Sequence, residues 1–151
     1  MTILAKVLGH SRLVVALPAG SQPSGATELR IYSGEVAFDI SSGGGTDSRD
    51  TIVIPLESAS AVPDPSAEII GWGAPSVPIP VVLPTSWNNG GSGGEPVIAI
   101  NGPGLAYLST STVPAGGTPG LFIQAAVTVQ HGSLLNAQYY CALLFKPVKR
   151  G

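Results

Sequence analysis

Charged side chains are scarce in this sequence: 7 Lys and Arg and 9 Asp and Glu among 151 residues, or 11%, where an ordinary globular chain carries about 25%. The net charge of −2 excludes a general basic footprint for nucleic acid. The only basic cluster, Lys146, Lys149 and Arg150, reads as a solvated tail. Cysteine is reduced to Cys141, which rules out an intrachain disulfide and a cysteine zinc knot and suits a reducing compartment. Two histidines, His10 and His131, are too few for a histidine zinc site. No stretch reaches the 18 apolar residues of a membrane span. The apolar run behind Lys6 and Arg12 stops at Pro18, too soon for a signal peptide. The expectation is a chain with no signal or membrane segment, no metal and no cofactor. With so little charge and a positive mean hydropathy of +0.34, much of its exterior is expected to be covered by other subunits.

What the chain has in quantity is 20 glycines and 14 prolines. Half of the prolines, at 55, 63, 65, 75, 78, 80 and 84, fall in one fifth of the sequence. Proline breaks helices and cannot donate to a sheet ladder, so this stretch is read as helix-free and confined to edges, bulges or extended chain. Glu68 to Trp72 and Ile79 to Leu83 are the edge strands expected in it. Its apolar residues then need cover from outside a central strand. Ile69, Ile70, Trp72, Ile79, Val81, Val82 and Leu83, with Val77, are therefore candidate subunit-interface residues on an extended arm or edge segment near 55–84. The alternative is that the segment folds back and closes an edge of its own sandwich.

The last third, 120–147, reads as the spine. Leu121, Ile123, Ala125, Val127 and Val129 recur at period two, the signature of a half-buried strand. The run from Tyr139 to Phe145 is apolar on both parities, as expected of a central strand or one covered by a partner. We read the two as a long terminal hairpin. A helix over 133–146 is the alternative, since Leu134, Gln138, Cys141 and Phe145 share a helical stripe behind Ser133. Asn136 at the capping-box position and the aromatics Tyr139, Tyr140 and Phe145 favour strand.

Upstream, residues 2–8 and 12–17 suggest a hairpin or a bent strand around Gly9, His10 and Ser11. Residues 28–32 and 35–40 suggest another hairpin, turning at Ser33 and Gly34, with Val36, Phe38 and Ile40 on one face. Residues 97–101 and 105–109 flank a turn at Gly102, Pro103 and Gly104. In total about ten or eleven short strands separated by Gly- and Pro-rich turns predict a single all-β domain over 1–151. Its architecture is an antiparallel β-sandwich or jelly-roll-like barrel with long Gly/Pro-rich loops.

Chemistry is thin. Gly90, Ser92 and Gly94 match the G-x-S-x-G spacing, with Glu95 and His131 further on, but a nucleophile elbow needs a strand before and a helix after it. Here a glycine string leads into Glu95, Pro96 and a strand. Asp47 and Asp50 around Arg49 lack the dense oxygen spacing of a calcium loop. No catalytic residue is expected. Trp72 and Trp87 are the candidate aromatic platform of a sugar-stacking alternative.

In style, a neutral β-rich chain with Gly/Pro-rich loops, one cysteine and a tight apolar run from Tyr139 to Pro147 resembles the small virion structural proteins of bacteriophages: capsid decoration or cement proteins and single jelly-roll coat components. That resemblance implies a non-enzymatic subunit, often trimeric, that partners itself and a major capsid protein in a virion assembled in the host cytoplasm. A carbohydrate- or receptor-binding β-sandwich of a phage tail or fibre is the second reading.

Overall fold

The computed structural model describes residues 3–23, 25–41, 47–72, 79–88, 95–100, 104–114, 117–130 and 132–146. Over these the chain forms β1 (Ile3–Leu4), β2 (Lys6–Ala16), β3 (Glu28–Ser41), β4 (Asp47–Ser58), the helical turn α1 (Pro65–Glu68), β5 (Val81–Asn88), β6 (Val97–Ala99), β7 (Leu105–Leu108), β8 (Gly120–Gln130) and β9 (Ser133–Phe145). One sheet has the order β1-β4-β8-β6, with β7 also paired to β8. The other has the order β2-β3-β9-β5. All pairings are antiparallel except β1 with β4. The chain is thus an all-β sandwich, as its sequence predicts.

The core follows from alternation. Leu121, Ile123, Ala125, Val127 and Val129 of β8 are all buried, while Gln124 and Gln130 between and after them face out. On β3, Tyr32, Val36, Phe38 and Ile40 point the same way, and β9 answers with Ala137, Tyr139, Cys141, Leu143 and Phe145. Each large side chain so buried contributes roughly 1.5–3 kcal/mol. Both strands of the terminal third are central in their sheets, β8 between β4 and β6, β9 between β3 and β5.

Their relation is not the hairpin expected from sequence. β8 and β9 lie in different sheets. β3 and β4 also lie in different sheets, and since β3 pairs with β9 and β4 with β8, the four strands form one antiparallel ribbon folded over the core. β9 is strand throughout, which removes the helical alternative.

Two further turns disappear. The two halves of the supposed hairpin at 28–40 are one continuous β3, and the bend near Gly9 is only a register irregularity inside β2. The change of direction there comes earlier, at buried Ala5, between β1 in one sheet and β2 in the other. β6 and β7 pair with the same edge of β8, at Thr128 to Ala126 and then Ile123 to Gly120, so the interval between them interrupts one edge strand rather than reversing it. Gly104 closes this interruption at φ +70, with its carbonyl accepting from Gln124 N at 2.7 Å. Gly102 and Pro103 lie outside the described residues.

The Pro-rich stretch also differs from a helix-free reading. Asp64 caps α1, Pro65 opens it, and Glu68 Oε2 accepts from Asp64 N at 2.9 Å. Proline is compatible with a first helical turn because its missing N–H has no partner there anyway. Beyond α1 the chain makes only an isolated bridge, Ile69 with Phe145, where an edge strand from Glu68 to Trp72 is expected. The second expected edge strand is present as β5, starting at Val81 and passing through Pro84 with two irregularities.

Gly34, read from sequence as a turn residue, has another reason to be glycine. It sits mid-strand opposite His10 and Tyr139, and a Cβ there would collide with the Gly9 carbonyl oxygen and come within 2.8 Å of the Tyr139 ring and hydroxyl. A strand glycine of this kind marks close approach of other groups. Gly34→Ala is expected to destabilise the fold by about 1–3 kcal/mol through overpacking. Gly9→Ala, with nothing within 4 Å of the added atom, should stay within about 0.5 kcal/mol. Denaturant melts of the two variants check this contrast, and equal effects would contradict the packing role.

Candidate functional site

The most organised polar group lies at one end of the sandwich. Glu28, Arg30 and Tyr32 share the inward parity of β3 with Val36, Phe38 and Ile40, so charge is carried into the phase of the core. Glu57, just after the Pro55 irregularity of β4, meets them from the other sheet. The Tyr32 hydroxyl donates to Glu57 Oε1 at 2.9 Å, and Arg30 Nη1 donates to the same oxygen at 3.4 Å. From β2, Arg12 Nη1 donates to both Glu57 oxygens at 2.9 and 3.1 Å. Arg30 Nε donates to Glu28 Oε1 at 2.7 Å, and the Arg30 guanidinium lies 3.9 Å from the centroid of the Phe145 ring.

The Glu57 side chain is 5% exposed while that of Arg12 is 47% exposed. The carboxylate is therefore a buried acceptor saturated by three donors, and Arg12 is its solvent-side lid. Burial first, and the Glu57 charge second, push the Tyr32 phenol well above its usual pKa. Burial alone pushes the Cys141 thiol up to about 12. Both groups are held in their protonated forms, so neither is an activated nucleophile or base. A shallow cleft of ≈ 340 Å³ lies beside the cluster, lined by Val7, His10, Pro55, Leu56, Glu57, Ser58 and Thr118. His10 is the titratable group sequence reading singled out that reaches it. Ser92, Gly90, Gly94 and His131 lie outside the described residues. Asp47 and Asp50 belong to strand β4 rather than to a loop. Among the described residues no group of three or more His, Cys, Asp or Glu is placed to hold a metal, and no helix is long and apolar enough to cross a membrane.

The interface candidates separate into two sets. Ile69 and Val82 are buried in the sandwich's own core, and Trp72 packs partly against it; Ile70 is half-buried, its N–H bonded to Leu144 O at 3.0 Å. To that extent the Pro-rich stretch closes an edge of its own sandwich. Ile79, Val81 and Leu83 remain exposed, as does Trp87 near the end of β5. Val77, Lys149 and Arg150 lie outside the described residues, and Lys146 is exposed.

Sequence reasoning missed the Glu57 cluster because its members come from positions 12, 28–32 and 57, with no local spacing to join them. The available signal was the parity of Glu28, Arg30 and Tyr32, in phase with a core-facing run. Compared with known proteins, the chain matches no family model, no curated protein and no solved structure.

Two measurements probe the cluster. Glu57→Gln removes the buried charge that Arg12, Arg30 and Tyr32 share, leaving Arg30 with Glu28, and is expected to destabilise by about 2–4 kcal/mol, near the lower end for breaking a buried pair. Arg12→Ala, at the exposed end, should lose no more than about 1 kcal/mol. Stability should also fall in alkali. The folded-state pKa values of Cys141 and Tyr32 are raised above those of the unfolded chain, so as pH rises the unfolded state loses these protons first. The stabilisation is complete below pH ~9 and declines above it by up to about 1.4 kcal/mol per pH unit for each group. Cys141→Ala should remove the thiol's share of the slope between about pH 9 and 12, and an unchanged slope would contradict its assignment.

Proposed function

We propose that this chain is a non-enzymatic structural subunit that works through contacts with other subunits, in the manner of a virion decoration, cement or minor coat protein. The observation that carries the reading is the outer face of the β2-β3-β9-β5 sheet. Around 13–15, 29–31 and 142–144 the residues opposite the core are apolar rather than the polar set of a solvated face, while Ser33, Glu35, Asn136 and Gln138 make the rest of that face polar. Register aligns Val15, Leu29 and Leu144 in one row and Leu13, Ile31 and Ala142 in the next, with Tyr140 and Val81 side by side beyond them. Leu13, Val15, Val81 and Tyr140 are exposed. A contiguous apolar surface of this kind marks an interaction site, and the low charge of the chain leaves little to keep it in water.

Ile79 and Leu83 add to the same proposal, being 57% and 59% exposed. The polar cluster contributes rigidity at one end and supplies no activated group, which supports a structural rather than a catalytic reading. A sugar platform on Trp72 is disfavoured, since that ring packs against the core.

Light scattering on the purified chain should give a mass above that of one subunit. Ile79→Asp combined with Val81→Asp should lower that mass while leaving a cooperative melt within about 0.5 kcal/mol of the parent, because both side chains are already in water. A parent protein that is a single subunit at every concentration would sink the reading.

A further inference from the structure

Four sheet margins could pair with another strand, and three are blunted by the devices that natural sheets use against edge pairing. β1 is two residues long, and the margin of β4 beyond it carries Arg49, Asp50 and the irregularity at Pro55. β6 and β7 are three and four residues long and interrupted. β5 contains Pro84 and two register irregularities. β2 is blunted least, its one inward-pointing charge, Arg12, being held by Glu57. It runs for 11 residues without proline, and its lysine and its irregularity sit only at the start, at Lys6 and between Val7 and Gly9. From 9 to 16 no described residue pairs with its free edge, and all of these positions are exposed.

We propose that this edge is the pairing site for β2 of a second copy, joined antiparallel about a twofold axis at Leu13, so that two four-stranded sheets become one of eight. The proposal rests on the subunit reading above and names the surface that serves it. An unpaired strand edge selects its occupant by backbone chemistry: only another extended strand satisfies a row of N–H and C=O groups. Charge excludes two registers and strand length a third, since centring on Val14 would set His10 opposite Pro18, beyond the end of β2. Centring on Arg12 would set Arg12 against its own copy, and centring on Ser11 would set it against His10, both unfavourable. Centring on Leu13 sets Arg12 opposite Val14, His10 opposite Ala16 and Ser11 opposite Val15, with no charge facing charge. Arg12 is already neutralised by Glu57 at 2.9 Å, so pairing strands no charge at the seam.

This register joins nine residues per chain, 9–17. Antiparallel geometry then gives about eight to ten interchain hydrogen bonds, close to the number in a standard protein interface. It also sets the two copies' Leu13 together on the outer face, each diagonal to the other copy's Val15, in line with Ile31 and Leu29. The apolar face of one subunit thereby continues into that of the next, as an isologous contact requires.

The test uses the full chain. Leu13→Cys under a mild disulfide oxidant should yield a covalent dimer, whereas Thr85→Cys, exposed on the opposite edge of the same sheet, should not; Cys141 is buried and stays silent. Leu13→Lys with Val15→Lys should lower the mass by light scattering at least twofold while retaining a cooperative melt. A chain that still assembles with both lysines in place, or that cross-links through Thr85→Cys and not Leu13→Cys, overturns the β2 pairing and leaves the subunit reading standing. Cross-linking of Leu13→Cys to an added foreign strand peptide but never to itself overturns it in favour of another partner. A parent chain that is monomeric throughout overturns both.

Discussion

The two-residue crossing between β8 and β9 is the constraint from which the sandwich follows. From Gln130 to Ser133 the chain spans three Cα steps, a reach of about 11 Å, and two packed sheets stand about 10 Å apart. A link of that length has no slack, so the chain must leave one sheet and enter the other directly. Given that crossing, the ribbon of β3 on β9 and β4 on β8 has one way to fold, with the inward parities of all four strands meeting in the middle. β3 and β4 change sheets as β9 and β8 do, because they follow those partners residue by residue. Everything else is added to the margins of this folded ribbon: β2 and β5 on one sheet, β1, β6 and β7 on the other.

That constraint explains which parts of the fold were legible in the sequence. The inward residues of β8 could be named in advance because alternation is a local property, visible within Leu121 to Val129. Whether two adjacent strands pair or face each other is not local. A short polar link can make a hairpin or a crossing, and His131 and Gly132 carry no residue preference that decides between them. Ser33 and Gly34 misled for the related reason that a glycine required by Tyr139, more than a hundred positions away, looks the same in sequence as one required by a turn. The Pro-rich stretch was read correctly as edge material in β5 and too strictly at α1, where Pro65 occupies the one helical position that tolerates it.

The Glu57 cluster shows the same limit at the level of chemistry. Its geometry depends on the register of β2 on β3 and on the facing of β3 with β4, and neither is written in any short window. A buried carboxylate shared by two guanidiniums and a phenol is weak as a source of net stability, since desolvation consumes much of the Coulombic gain. Its value lies in intolerance of error: a one-residue slip of β3 would turn Arg30 and Tyr32 to the outer face and take two of the three donors from buried Glu57. In a chain with so few charges, placing several of them at one end of the core fixes strand register where apolar side chains alone would accept alternatives.

The exterior extends that argument. A sheet whose outer face is as apolar as this one can slip, stack or pair without penalty unless something limits it, and in a monomer that something is usually surface charge. Here the limits are mostly backbone devices instead: short strands, proline, irregular register and interruption, least developed along residues 9–16 of β2. On the proposed subunit reading, such an arrangement restricts association to chosen places. The residues that a solvated protein would spend on charge are in this chain glycine and proline, which shape edges, and leucine and valine on a face and an edge that remain open. A surface so composed is consistent with a molecule whose working environment is other protein.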